Sequence, residues 1–522
     1  MVPSLAILHS TNVTQKDLVN EVQLLIFDVS HRYVLLVANG PDEWRLPGFL
    51  SKTVSITPIP EVCSAAKTVI GIEFPFIVLR DCYREEWDVE TDDCSDSGSR
   101  GILVVVCHEK PERVPSGCSW VGITDNHGAG VVHVSHSEKG AEQAIRRELE
   151  QAAANVSPPR RLPWASVEWH HETLRKVREI LHGHNLHVIG DLVQLRASYR
   201  GAVLKIKTNE GDYYLKCSPS TSNDAGVTSI MSSVAPDLVA KPLFADVESR
   251  QMILADHGDE TGLYKMDDEE RKQVVRDVVR LHRASTDVLP DLLQAGLPCY
   301  SPLWMRENLT SLFQSKELLS VRETEPSQKL SNTKIKLEEY LTELISWEMP
   351  DCLIHNDLYL GNLIRKSADE GPGFRFFDFD SSFASHPLFD VDWCNREVLE
   401  AYAQEMDIAD IDGLYSLTKK VHDLSWLVRV YRYMDRAREA EDGAPREDVL
   451  YCLEESFHQT SLRVGRELAR HHGSNSGDGR HEPCSSYRMN MVNNSTEEKS
   501  CAKARGRGLK LSWLEWRLHW TH

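Results

Sequence analysis

The stretch from 351 to 393, DCLIHNDLYLGNLIRKSADEGPGFRFFDFDSSFASHPLFDVDW, constrains this chain more than any other. It places His355-x-Asp357 ahead of Asn362, and a short loop then leads to the apolar run FRFFDFD carrying Asp378. A carboxylate and an amide five residues apart on a tight loop can face one site. A second carboxylate at the end of the next strand completes a cage. Phosphoryl transfer asks for this kind of arrangement, because it needs positioning and charge neutralisation more than covalent help. Magnesium takes hard oxygen ligands such as Asp and Asn and keeps its other positions for water and phosphate. The same order, an Asp, an Asn five residues later, then a metal-binding Asp, marks kinase catalytic loops. Any one fragment can arise by chance in an acidic chain; their joint occurrence favours a phosphotransfer site.

At 522 residues the chain is too long for one ordinary core, so two or three domains are expected. Its 41% hydrophobic and 26% charged residues are those of a soluble globular protein. A formal net charge of −20 excludes a general nucleic-acid binder, which needs a basic surface. The basic run KARGRGLK at 503–510 is read as tail, not as a nucleic-acid site. No apolar stretch approaches the roughly 18–20 residues of a membrane span. The start, MVPSLAILHSTN, has no basic n-region and too short an apolar segment for a secretory signal. The twelve cysteines form no CxxC pair, so reduced thiols and a cytoplasmic location are expected, with no membrane partner. The sequons at Asn493 and Asn494 are then incidental. His182, His184 and His187 lack a Cys or carboxylate to complete a metal set and read as a solvated helix end.

Residues 20–125 read as mostly β: VQLLIFDV, YVLLVANG and GILVVVCH are apolar runs of strand length. TDDCSDSGSR (91–100) between the last two reads as an acidic surface loop. A helix at 138–152 and a proline-broken linker follow. The next region opens near Pro163 with a helix over HETLRKVREILHGH and strands over DLVQLRAS, AVLKIKT and DYYLKCS. DEERKQVVRDVVRLHRAS (268–285) begins a helical half, with further helices expected at 332–347, 394–406, 412–437 and 446–470. The expected domains are 1–125, a helix and linker over 126–160, a small lobe over 161–257, a large lobe over 258–470, and a disordered tail over 471–522.

The 351–393 segment resembles the aminoglycoside phosphotransferase and choline kinase-like family. That family's HGDLHxxN pattern is met by HNDLYLGN, with Asn356 in the place of the usual glycine. Its following I-D-W/F and G-H-P-x-x-D-L elements are met by FFDFD and SHPLFDV. The resemblance implies an α+β, bilobal protein kinase-like fold over roughly 160–470, using ATP and Mg²⁺. It implies that Asp357 orients or deprotonates an acceptor hydroxyl and that Asn362 and Asp378 bind the metal, Asp380 assisting. Asp390 would brace the loop by backbone hydrogen bonds, and His355 is likewise a bracing residue.

On the nucleotide side the family has a lysine in (Y/F)xK followed by a helix opening with Glu. Lys216 of DYYLKC fits the first, while the second position is Asp224, one methylene shorter. A longer or water-mediated Lys216–Asp224 pair is therefore expected. No GxGxxG loop is present, so Ser198, Tyr199 and the backbone near Gly201 would cover the phosphates, and QMILADHG (251–258) falls where adenine would be held. The acceptor implied is a small hydroxylated metabolite. The alternative is a pseudokinase-like protein that binds nucleotide or a partner.

YVLLVANGPDEWRLPGFLSKTVSITPIPEVCSAAKTVIGIEF (33–74) resembles a Nudix domain, an α/β/α sandwich, through Trp44-Arg45-Leu46-Pro47-Gly48 and Gly71-Ile72. The positions of that family's catalytic Arg-Glu and Glu-Glu pairs hold Ser64-Ala65 and Thr68-Val69, and the spacing is two residues too long. Without ligand carboxylates there is no metal and no activated water, so an inactive scaffold is expected. Arg84-Glu85-Glu86 falls beyond the helix and does not replace them.

Overall fold

The computed structural model describes residues 19–28, 33–38, 44–51, 59–73, 76–91, 94–107, 111–122, 148, 160–257, 267–318, 326–358, 360–391, 396–440 and 444–472. The chain divides into two compact units, one up to His171 and one from Glu172 onward.

The first unit is built on a sheet of seven strands: β1 (Val19–Asp28), β2 (Tyr33–Ala38), β3 (Trp44–Arg45), β4 (Gly48–Ser51), β5 (Phe76–Thr91), β6 (Cys94–Cys107) and β7 (Cys118–Gly122). β1 pairs in parallel with β6 and antiparallel with β2 and β4. Its consecutive Leu24, Leu25, Ile26 and Phe27 are all fully buried. A strand buried on both faces reads as a continuous apolar run, which is why VQLLIFDV does not alternate. The expected surface loop at 91–100 is not there. β5 and β6 pair as far as Thr91 and Cys94, so most of TDDCSDSGSR extends the ladder. Backbone pairing carries on from the apolar part of the hairpin, and β-propensity is too dependent on context to forbid it. α1 (Ile59–Ala65) runs into a wide π turn, Ala66–Ile70, and stops at Gly71, whose φ of 80° suits glycine.

The second unit begins with a five-stranded antiparallel sheet in the order β11-β12-β10-β9-β8. Its strands are β8 (Val193–Ser198), β9 (Gly201–Lys207), β10 (Asp212–Cys217), β11 (Phe244–Asp246) and β12 (Gln251–Ala255). α2 (Val167–Gly183) precedes it, and α3 (Asp224–Val234) lies between β10 and β11. The helical half opens with α4 (Asp268–Asp287), started by a capping box in which Asp267 and Glu270 each satisfy the other's backbone N–H. α4 buries Val274, Val275, Val278, Val279 and Leu281, a helical stripe.

Two helices escape the sequence reading, α5 (Leu289–Gln294) and α6 (Pro302–Gln314). Each has a proline in its first turn, where no intrahelical N–H is lost. α7 (Ser327–Ser346), α8 (Arg396–Glu405), α9 (Ile411–Glu439) and α10 (Ala444–His472) match the four expected helices within a few residues. Their apolar faces close one core with Leu341, Leu344, Leu417, Leu424 and Leu453 at its centre.

Between α7 and α8 the chain makes two small hairpins, β13 (Cys352–Ile354) with β16 (Phe383–Ser385), and β14 (Leu363–Arg365) with β15 (Phe374–Phe376). They carry the motif. His355 follows β13, Asn362 precedes β14, and Asp378 lies two residues past β15. Among the described residues no helix is long and apolar enough to cross a membrane. The expected helix and linker at 126–160 and the tail beyond His472 lie almost wholly outside the described residues.

Candidate active site

The loop after β13 is held by one buried acid. Asp390 accepts the backbone N–H of His355 and of Asn356, each at 2.8 Å, and its Oδ2 lies 3.2 Å from Nε2 of His282. The bracing read from the sequence is present. His355 is fully buried, its Nε2 is 3.0 Å from the Phe377 carbonyl, and its ring packs on Phe379 at 4.8 Å. Burial holds this imidazole below its ordinary pKa against the pull of Asp390 and Asp357, so it braces as a neutral ring.

Asn356 sits at φ 59°, in the left-handed region. Glycine enters that region freely, and Asn is among the few side chains that tolerate it. The departure from the family's glycine is therefore one the backbone accepts. Asn356 also uses its side chain, donating from Nδ2 to the Ser381 carbonyl at 3.3 Å.

Asn362 fixes the other end of the loop. Its Nδ2 donates to the Asp357 carbonyl at 2.8 Å and to Asp357 Oδ2 at 3.0 Å. Its Oδ1 is buried and has no hydrogen-bond partner. A buried amide oxygen left unsatisfied costs about 1–3 kcal/mol, and a hard cation would satisfy it.

On the sheet side, Lys216 near the end of β10 contacts Asp224 and Asp378 directly, and its Nζ lies 3.6 Å from Asp380 Oδ2. The longer or water-mediated pair expected for Asp224 is thus corrected: the contact is direct. The shorter side chain reaches because Asp224 is the first residue of α3 and is fully buried beneath Lys216. Asp224 Oδ1 also accepts the Thr228 hydroxyl at 3.0 Å and the Phe379 N–H at 2.9 Å. One carboxylate so ties α3, β10 and the loop carrying Asp378. Asp378 itself has φ 68°, in the left-handed region that Asp, like Asn, tolerates better than most residues.

Asp224, Asp378 and Asp380 all face the one ammonium of Lys216, and arginines stand further off. Burial pushes the Asp380 carboxyl up, but Lys216, Arg196 and Arg436 hold it below the ordinary range. Asp380 also accepts from Ser218 at 3.2 Å and Ser222 at 3.4 Å. Arg432 of α9 donates to the carbonyls of Ser381 at 2.8 Å and Asp380 at 3.1 Å.

A divalent cation fits here: Asp378 and the orphaned Asn362 oxygen are hard donors beside Asp357, within an acidic pocket. Among the described residues no group of three or more His, Cys, Asp or Glu is arranged to hold a metal.

Ser198 is the last residue of β8, and its Oγ accepts the Arg200 N–H at 3.2 Å. The strand register places the Ser198–Gly201 turn at the end of the sheet that holds Lys216 and Cys217. At Gly201, with φ 146°, a Cβ would lie 2.7 Å from the Cys217 carbonyl, so only glycine lets the turn come this close. β12, within QMILADHG, pairs directly with β10, Met252 opposite Lys216.

Sequence reasoning missed Thr228, Ser218, Ser222 and Arg432. Thr228 was detectable as the i+4 neighbour of Asp224 on a helix. Nothing local marks Arg432, which lies 52 residues from Asp380.

A search among curated proteins finds no match. Solved structures of low sequence identity are similar. The GDP complex of wild-type aminoglycoside 2'-phosphotransferase-IIIa shares 15% identity at a TM-score of 0.39, covering 56% of this chain and 98% of that one. A Plasmodium vivax ethanolamine kinase shares 14% at 0.39, covering 57% and 95%. Spectinomycin phosphotransferase in complex with ADP and spectinomycin shares 13% at 0.37, covering 56% and 97%. Residues 191–410, which contain Lys216, Asp224, Asp357, Asn362 and Asp378, match the family model described as the phosphotransferase enzyme family.

Proposed function

We propose that the second unit is an ATP- and Mg²⁺-dependent kinase that transfers the γ-phosphoryl group to a hydroxyl of a small molecule. The observation that carries this reading is the joint geometry of Lys216 on Asp224 and Asp378, with the buried, unpartnered Oδ1 of Asn362 beside Asp357. Lys216 and the Ser198–Gly201 turn hold the nucleotide's phosphates. Asn362 and Asp378 hold Mg²⁺, which when bound neutralises charge on the phosphates. Asp357, fixed through Asn362, accepts the hydroxyl proton of the acceptor as the new O–P bond forms. Asp390 and His355 keep the loop rigid.

The direct Lys216–Asp224 contact answers one of the two features that favour a pseudokinase, the other being the absent Gly-rich loop. We read the first unit as a Nudix-like scaffold without hydrolase activity, since α1 and its π turn carry Glu61 as their one acid.

Mg²⁺-dependent ADP release, screened over hydroxylated metabolites with wild type and Asp357→Ala, tests the kinase. Release by wild type that is lost on chelation and in the variant supports it. Absence of both ATP binding and turnover in wild type refutes it.

A further inference from the structure

The helical side of the site carries an excess of arginine that the phosphotransfer chemistry does not use. Arg200, in the Ser198–Gly201 turn, donates from Nε to the Tyr199 hydroxyl at 3.2 Å. Tyr433 and Cys452 lie near both Arg200 and Tyr199. On α9, the guanidinium of Arg436 lies over the Tyr433 ring at 5.8 Å, and Arg432 reaches the carbonyls of Asp380 and Ser381. All three arginines are half-buried. Among the described residues none of the three has a carboxylate within ion-pair distance. The acids nearby on α9 are committed elsewhere. Asp435 accepts the Tyr300 hydroxyl at 3.0 Å and faces Arg438 at 3.4 Å, and Glu439 contacts Ser220. Burial, with the neighbouring Arg436, pushes Arg432 down to about 10.

Cations withdrawn from water without a partner are costly, and natural proteins pair them. Guanidinium groups are also the preferred partners of phosphate and carboxylate, which they can grip through two parallel bonds. In a chain of net charge −20 such a cluster, in which Arg432 holds the carbonyls of Asp380 and Ser381, stands out. We propose that Arg432 and Arg436 recognise an anionic group on the acceptor, so that the molecule phosphorylated is a hydroxylated acid or phosphomonoester and not a cationic amine. This rests on the kinase reading above. In that reading Lys216 and the sheet serve the nucleotide, whereas Arg432 and Arg436 come from the helical half. A cationic acceptor would meet two like charges there.

Two measurements test it on the full chain. In the first, ADP release is compared with glycerol 3-phosphate, glucose 6-phosphate and glyceric acid against ethanolamine and kanamycin. In the second, protection by inorganic phosphate against thermal unfolding is read at constant ionic strength for wild type, Arg436→Glu and Arg436→Lys. Stimulation by the anionic set supports the proposal when it is joined by phosphate protection that Arg436→Glu loses at least tenfold in apparent affinity and Arg436→Lys partly keeps. Stimulation by ethanolamine or kanamycin without phosphate protection overturns it and leaves the kinase standing. Phosphate protection with no ATP turnover under any condition overturns the kinase reading instead. If Arg436→Glu weakens Mg·ATP binding as much as phosphate binding, the arginines serve the nucleotide and the proposal falls.

Discussion

Asp224→Glu installs the residue usual in the family that this segment resembles, and the structure predicts that it does harm. Asp224 is fully buried and its carboxylate already serves three partners: Lys216, the Thr228 hydroxyl at 3.0 Å and the Phe379 N–H at 2.9 Å. One more methylene in a filled slot costs about 1–3 kcal/mol by overpacking. The displaced carboxylate would also abandon at least one of two buried donors, adding about 1–3 kcal/mol. These terms share atoms and are not fully additive, which puts the loss at about 2–5 kcal/mol. For a domain of this size that lowers Tm by roughly 4–20 °C. Because the Phe379 N–H adjoins Asp378, the loop carrying Asp378 should loosen as well, and turnover should fall more than tenfold with a raised KM for ATP. Thermal unfolding and steady-state ADP release measure both. If Asp224→Glu is as stable as wild type and equally or more active, the argument from a filled, triply bonded carboxylate is wrong.

At Asn356, with φ 59°, substitution by Gly should stay within about 1 kcal/mol of wild type, whereas Ala should cost about 1–2 kcal/mol; urea unfolding of both variants decides it. Asp390→Asn has one acceptor oxygen for two backbone N–H groups, so one buried donor is stranded at a cost of about 1–3 kcal/mol. The catalytic loop should then loosen, with kcat falling and the KM for ATP nearly unchanged. His355 and His386 are buried as neutral rings, and burial beside His282 pushes His386 down to about 3. Their unfolded forms take up protons below about 6.5, so both are neutral in either state above that pH and contribute no slope. As pH falls below it, each removes up to about 1.4 kcal/mol per pH unit, His386 doing so down to about 3. Urea midpoints at pH 7.5 and 5.5 should therefore differ, and His386→Asn should flatten the dependence.

What the sequence disclosed and what it hid follow physical range. Strands β1, β2, β6, β8, β9 and β10 and the helices from α7 to α10 are legible because each buries a periodic or continuous apolar run that local residues spell out. Asp357, Asn362 and Asp378 are legible for a similar reason, since two short hairpins bring them together within one segment of the chain. The 91–100 hairpin was not legible: its composition is that of a loop, and its strand pairing comes from the apolar ladder it extends. Nor was the closeness of Lys216 to Asp224, because side-chain length alone ignores how deep a helix start can be set. Arg432 reaches the Asp380 carbonyl only through the packing of α9, and nothing near it in sequence reports that approach.

The most direct test of the central claim is single-turnover transfer of label from γ-labelled ATP, with Mg²⁺ and a stimulating acceptor, by wild type and Asp357→Asn. Asn keeps the shape of the loop but cannot accept the acceptor's proton. The account predicts nucleotide affinity within about threefold of wild type and a transfer rate lower by about 10²–10⁴. Transfer at the wild-type rate by Asp357→Asn would contradict it.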